Sequence, residues 1–86
     1  MYYVYVLQSD LDRKQFYLGS TSDLRQRLES HNAGENTATR GHQWQLVYYE
    51  AYVSLAAARQ RERKLKSHGK AKQALMQRIK ASLEAD

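Results

Sequence analysis

The chain has 86 residues, with 14 Lys and Arg against 9 Asp and Glu, for a formal charge of +5; this length allows one domain, spanning 1–86, with a modest core. Cysteine is absent, which excludes a disulfide framework and a thiolate zinc site and suits a reducing cytoplasm. No apolar run approaches the roughly 20 residues that cross a bilayer, and Met1 leads straight into a strand pattern, so a soluble, unprocessed chain without a membrane partner is expected.

Residues 2 to 8 alternate, with Tyr3, Tyr5 and Leu7 on one face and Tyr2, Val4 and Val6 on the other. Apolar residues on both faces, rich in aromatic and β-branched types, predict a central strand. After the polar connection from Ser9 to Lys14, Phe16, Tyr17 and Leu18 form a second strand ending at Gly19, and strands so close in sequence pair most simply as an antiparallel hairpin. Asp23 offers an N-cap with Gln26 at capping-box spacing, so a helix is expected from Leu24 to Asn32, stopped by Gly34. On it, Leu24, Arg27, Leu28 and His31 share one sector and should face the sheet.

Residues 33 to 44 read as a long loop and a candidate contact surface. A third strand follows from Leu46 to Val53. Ser54 caps a helix running to about Lys66, whose inward stripe is Leu55, Ala58, Glu62 and Leu65, and Ser67-His68-Gly69 breaks it. The last helix, about Lys70 to Leu83, has Ala71, Ala74, Leu75 and Ile79 at core spacing. There are no internal repeats and no low-complexity tract.

The charge is concentrated at the C-terminal end. Between Arg59 and Lys80 there are nine basic residues and one acid, Glu62, so that stretch carries +8 and the rest −3. A basic face on a small domain attracts polyanions by releasing their counterions, which makes the DNA phosphate backbone the first partner to consider. Arg40, Arg59, Arg63, Lys66 and Lys70 are the candidate phosphate contacts, with Gly19 as a place where backbone approaches phosphate closely. A solvated helix face, or a surface for an acidic protein partner whose identity the sequence leaves unknown, is the alternative. Glu62, set in an inward stripe, needs a cation, an ion pair or hydrogen bonds to remain charged.

In order, Tyr3-Val4-Tyr5, Tyr17-Leu18-Gly19, a helix with Arg27 and His31, Val47-Tyr48-Tyr49-Glu50 and Arg61-Glu62-Arg63-Lys64 resemble the GIY-YIG nuclease superfamily, in particular its small stand-alone bacterial members. The resemblance covers residues 2 to 76, and the basic C-terminal helices span 54 to 83. It implies an α/β sandwich in which a three-stranded antiparallel sheet is flanked by helices in the order β-β-α-β-α-α. It also implies metal-dependent cleavage of DNA, in repair or in processing of branched or damaged DNA. By the same resemblance Tyr5 and Tyr17 stand at the active-site tyrosines, Arg27 at the catalytic arginine, His31 at a histidine found in many members, and Glu62 at the metal ligand. The chain departs from the pattern at Tyr3, where the name-giving glycine would be, at Leu18, and in having no asparagine from Arg63 onward to support the metal glutamate.

These residue types suit the chemistry. Phosphodiester hydrolysis needs an activated water and stabilisation of phosphoryl charge, and a phenol serves as base only if its proton moves on promptly or its pKa of about 10 is lowered. Either tyrosine fits, Tyr17 being preferred. Arg27 offers a permanently charged fork to two phosphate oxygens, its alternative being a salt bridge to a sheet carboxylate such as Glu50. His31, near a helix C-terminus, is expected to favour the imidazolium form. One glutamate suffices for a single Mg2+ or Mn2+ whose shell is completed by water and phosphate, the alternative for Glu62 being an ion pair with Arg27 or a lysine. A non-catalytic nucleic-acid-binding module of the same fold is the other functional class.

Overall fold

The computed structural model describes residues 1–85. In chain order it contains β1 (Tyr2–Ser9), β2 (Phe16–Thr21), α1 (Leu24–Asn32), β3 (Trp44–Tyr52), α2 (Leu55–Ser67) and α3 (Gly69–Glu84), with a 3-10 turn at Thr37–Thr39. The strands form an antiparallel sheet in the order β2-β1-β3. The strand with apolar residues on both faces is thus the central one, and helices cover both of its sides.

On one face, Val4 and Val6 pack with Ala58 and Leu65 of α2 and with Leu75 and Ile79 of α3. On the other, Tyr5, Leu7 and Trp44 pack with Tyr17, Leu24 and Leu28, the last two on α1. Burying each of the larger aliphatic side chains contributes about 1.5–3 kcal/mol relative to exposure. Leu65 is 0% exposed, and its truncation to alanine would cost about 2–5 kcal/mol.

Local chemistry sets the helix ends. The Asp23 carboxylate accepts the Gln26 N–H and the Ser54 hydroxyl accepts the Ala57 N–H. At the end of α1, Gly34 takes a φ of 78°, its N–H donates to His31 O, and the Glu35 N–H donates to Ser30 O. That pair of bonds satisfies the last carbonyls and requires a residue comfortable in the left-handed region.

Several expectations need correction. β2 does not stop at Gly19 but runs on to Thr21, because Thr21 still pairs with Tyr3. The segment 33–44 is not wholly loop: Asn36 caps the 3-10 turn, and Trp44 is a buried first residue of β3. Leu55 is 41% exposed at the first turn of α2, and Ala74 faces solvent while Met76 packs on the core. Gly69 opens α3, and the break falls on His68, whose backbone is extended.

Candidate active site

The β1–β2 register aligns Tyr5 with Gly19 and Leu7 with Tyr17, which puts both candidate phenols on the face covered by α1. Their ring centroids lie 6.3 Å apart. His31 enters from α1, with its ring 4.7 Å from that of Tyr17. Its Nε2 is 2.9 Å from the Tyr5 hydroxyl and its Nδ1 is 2.8 Å from the Thr39 hydroxyl.

The Thr39 hydroxyl has an acceptor in Asn36 O at 3.4 Å. A hydroxyl that donates there accepts from His31, so the network assigns the ring proton to Nδ1 and leaves Nε2 to accept from Tyr5. Thr39 is itself clamped, since the Trp44 indole donates to its carbonyl at 2.9 Å and Asn32 bonds the Trp44 backbone on both its N–H and C=O. Thr39 was not a sequence candidate; it lies in a polar loop with no periodicity to single it out.

His31 is fully buried. Burial, and then the nearby Arg27 charge, hold its pKa below the usual histidine value, so the imidazole is neutral near pH 7. This corrects the expectation of an imidazolium: desolvation and Arg27 outweigh the helix terminus. Burial pushes the Tyr5 phenol well above its ordinary range, Tyr17 and Glu62 add to that, and Arg27 opposes it. Tyr17, Arg27 and Glu62 are thus near enough to Tyr5 for their charges to act on it.

Gly19 is buried in mid-strand and lies under the Tyr5 ring, where an added Cβ would sit 2.6 Å from the hydroxyl oxygen and 2.8 Å from Cζ. Glycine is needed there to admit Tyr5, a reason different from the phosphate approach expected of it.

Arg27, one turn before His31, has a buried Nε without a hydrogen-bond partner. Glu50 does not pair with it. That carboxylate lies with Tyr48 and Tyr52, accepting from both hydroxyls, and it accepts from Arg61 Nε and Nη2 at 2.9 Å each. Burial works to raise the Glu50 pKa, but these donors win and bring it down to about 2.

Glu62 comes from α2, on the opposite face of the sheet from the phenols, and is anchored at the edge strand β2. Ser20, next to Gly19 and alternating to the α2 side, donates to Oε1 at 2.5 Å, and Lys66 donates to Oε2 at 2.8 Å. The lysine alternative for Glu62 is therefore present, and Lys66 serves the carboxylate instead of standing free for phosphate. Burial raises the Glu62 pKa, but Lys66 and Ser20 outweigh it and keep the group ionised at neutral pH.

A cavity of about 380 Å³ opens at this end of β2, lined by Ser20 and Thr21, Arg27 of α1, and Ala58 and Arg59 of α2. Arg59 is thus at the rim. Arg63 and Lys70 are exposed on the helical side, and Arg40 is tied to the end of α1 through a 3.0 Å bond from its Nε to Gly34 O. Among the described residues no three His, Cys, Asp or Glu side chains cluster as a metal cage. Glu62 is the one candidate carboxylate that would hold an ion carried mainly by water and substrate oxygens, the arrangement magnesium accepts, and the Lys66 ammonium occupies its Oε2. No helix among the described residues is long and apolar enough to cross a membrane.

The GIY-YIG catalytic domain profile matches residues 1–76. A UPF0213 protein of Haloquadratum walsbyi is 39% identical over 74 residues, covering 83% of this chain and 80% of its own length. A UPF0213 protein of Natronomonas pharaonis is 42% identical over 73 residues, covering 83% and 84%. Both relatives are archaeal, where the motifs pointed to bacterial members. On the match across most of its length and on these relatives, the chain belongs to the GIY-YIG family.

Proposed function

We propose that this protein is a divalent-metal-dependent endonuclease that hydrolyses DNA phosphodiesters, acting in repair or in processing of branched or damaged DNA. One observation carries the proposal: the half-buried Arg27, whose buried Nε has no hydrogen-bond partner, lines the same cavity as the Ser20 that holds Glu62. A buried N–H without an acceptor is costly, and a phosphate seated against the guanidinium would satisfy it through charge-assisted hydrogen bonds.

In this mechanism Arg27 binds and orients the scissile phosphate. Tyr5 takes a proton from the attacking water while its own proton passes to His31 Nε2, and Thr39 continues to accept from Nδ1. The phenol itself is a poor base at neutral pH, so the neutral imidazole behind it is what makes the transfer feasible. Phosphate on Arg27 also weakens the charge that disfavours imidazolium, so substrate binding makes His31 a better acceptor. Tyr17, favoured by sequence, has no side-chain hydrogen bond among the described residues and serves here to pack His31. Glu62 would hold one Mg2+ or Mn2+, which when bound supplies Lewis-acid stabilisation of phosphoryl charge. Arg59, Arg63 and Lys70 supply phosphate contacts along the strand.

The engagement of both Glu62 oxygens by Ser20 and Lys66 favours a second reading, a DNA-binding module without turnover. The separating experiment incubates the protein with flap, nicked, single-stranded and duplex DNA, with and without Mg2+ or Mn2+. Metal-dependent cleavage that disappears in Glu62→Ala and Arg27→Ala while Glu62→Ala still binds DNA supports the nuclease. Uniform inactivity with retained binding supports the module.

A further inference from the structure

A second cleft, of about 550 Å³, lies on the α2–α3 side of the sheet at the opposite end of β2. Its apolar wall is Phe16, Leu18, Leu75 and Met76, and its basic residues are Lys14, Lys72 and Lys80. All three lysines are exposed, and none forms an ion pair among the described residues. Its size falls in the range of ~300–1,000 Å³ typical of sites for organic ligands. None of its residues belongs to the Tyr5, Arg27 or Glu62 machinery except Tyr17, which is shared through β2.

The chemistry of the cleft narrows its occupant. Three ammonium groups around an apolar wall suit a ligand with fixed negative charges joined to flat apolar faces, and an unpaired nucleotide strand has both. A base in a duplex is stacked and paired and cannot reach Phe16 or Met76. β2 supplies the register: Ser20, which holds Glu62, and Phe16, which walls the cleft, are four residues apart, or roughly 13 Å along a strand. A strand with its scissile phosphate at Arg27 and Glu62 would carry a flanking nucleotide toward the cleft.

Resting on the nuclease reading, we infer that the cleft between β2 and α3 is a subsite for an unpaired nucleotide flanking the cleavage point, with its base against Phe16 and Met76 and its phosphates on Lys14, Lys72 and Lys80. The substrate class is therefore DNA with at least a few unpaired nucleotides beside the scissile bond.

The chain has two methionines, one in the cleft and one, Met1, exposed at the N-terminus, so 13C-methyl-methionine labelling gives a reporter and an internal control. The labelled protein is titrated without metal with an oligothymidylate, with a blunt duplex and with polyglutamate. Oligothymidylate is expected to move the Met76 methyl signal and leave Met1 nearly unmoved, with little Met76 movement from the other two. The Lys72→Gln/Lys80→Gln variant should bind oligothymidylate with a slope of log K against log salt shallower by about 1.4, two phosphate contacts at about 0.7 each. Saturating oligothymidylate with Met76 unmoved overturns the subsite and leaves the Arg27 site standing. Equal movement by duplex or by polyglutamate overturns it in favour of a general anion or acidic-protein surface. Failure of every DNA to bind takes the nuclease reading down as well.

Discussion

Tyr5 lies directly across the β1–β2 ladder from Gly19, and its phenol fills the space that any side chain at position 19 would need. The ring is 3% exposed and tied to His31, so it cannot swing away from an added methyl. Gly19→Ala should cost about 1–3 kcal/mol through overpacking, against a gain of about 0.4–1 kcal/mol from a stiffer unfolded chain. Thermal unfolding should show a lower midpoint, by roughly 4–8 °C for each kcal/mol lost. Gly69→Ala is the control: an added Cβ there meets nothing within 4 Å, and the midpoint should rise slightly.

The two phenols should separate kinetically. Tyr5→Phe removes the hydroxyl bonded to His31 Nε2 and interrupts the proton path, so single-turnover cleavage should fall by about 10²–10⁴. Tyr17→Phe keeps the ring against His31 and should retain most of the rate. A larger loss in Tyr17→Phe than in Tyr5→Phe would reassign the base.

Much of this arrangement was legible in the sequence because it depends on short-range periodicity. The double-faced alternation of residues 2 to 8 gave a central strand, and the placement of Arg27 and His31 on the leucine side of α1 gave their inward aim. What escaped were partners set by tertiary contact. Thr39 becomes the His31 partner only because Trp44 and Asn32 fold the loop back. Ser20 becomes the Glu62 partner only because α2 crosses the edge of β2. The Glu50 site has a sequence signal: Tyr48, Glu50 and Tyr52 alternate onto one face, and a carboxylate between two phenols on a covered face needs a cation, which Arg61 supplies. The neutral state of His31 depends on its full burial, which the helix-terminus position alone does not reveal.

The Glu50–Arg61 pair should act as a pH-sensitive clamp between β3 and α2. Because the folded carboxylate titrates at about 2, below its unfolded value of about 4.3, its stabilisation is complete above that unfolded value. It is lost as pH falls from there through about 2. Glu50→Gln should lower stability at pH 7 by about 1–3 kcal/mol by leaving Arg61 without its charged acceptor. The difference from wild type should shrink toward pH 2. Urea unfolding midpoints across that range check it, and a constant difference would show that the lost contribution is packing instead of charge.

Arg27 should also set the pH at which the proton path works. Burial and Arg27 hold the His31 pKa below its ordinary 6.5, and the neutral ring is the form that accepts the Tyr5 proton. Cleavage should therefore be flat around pH 7 and fall only when pH drops below about 6.5 and through the depressed folded value. Folding stability follows the same sign, present above the unfolded pKa and declining below it, because protonating the ring places a buried cation beside Arg27. Arg27→Gln removes the second of the two causes, so the His31 pKa should move up toward its ordinary value without reaching it, since burial remains. A 15N titration of the three histidine rings reads this directly in the protein without DNA. An unchanged His31 midpoint in Arg27→Gln would mean that burial alone keeps the ring neutral, and that phosphate bound at Arg27 has no means of turning His31 into a stronger acceptor.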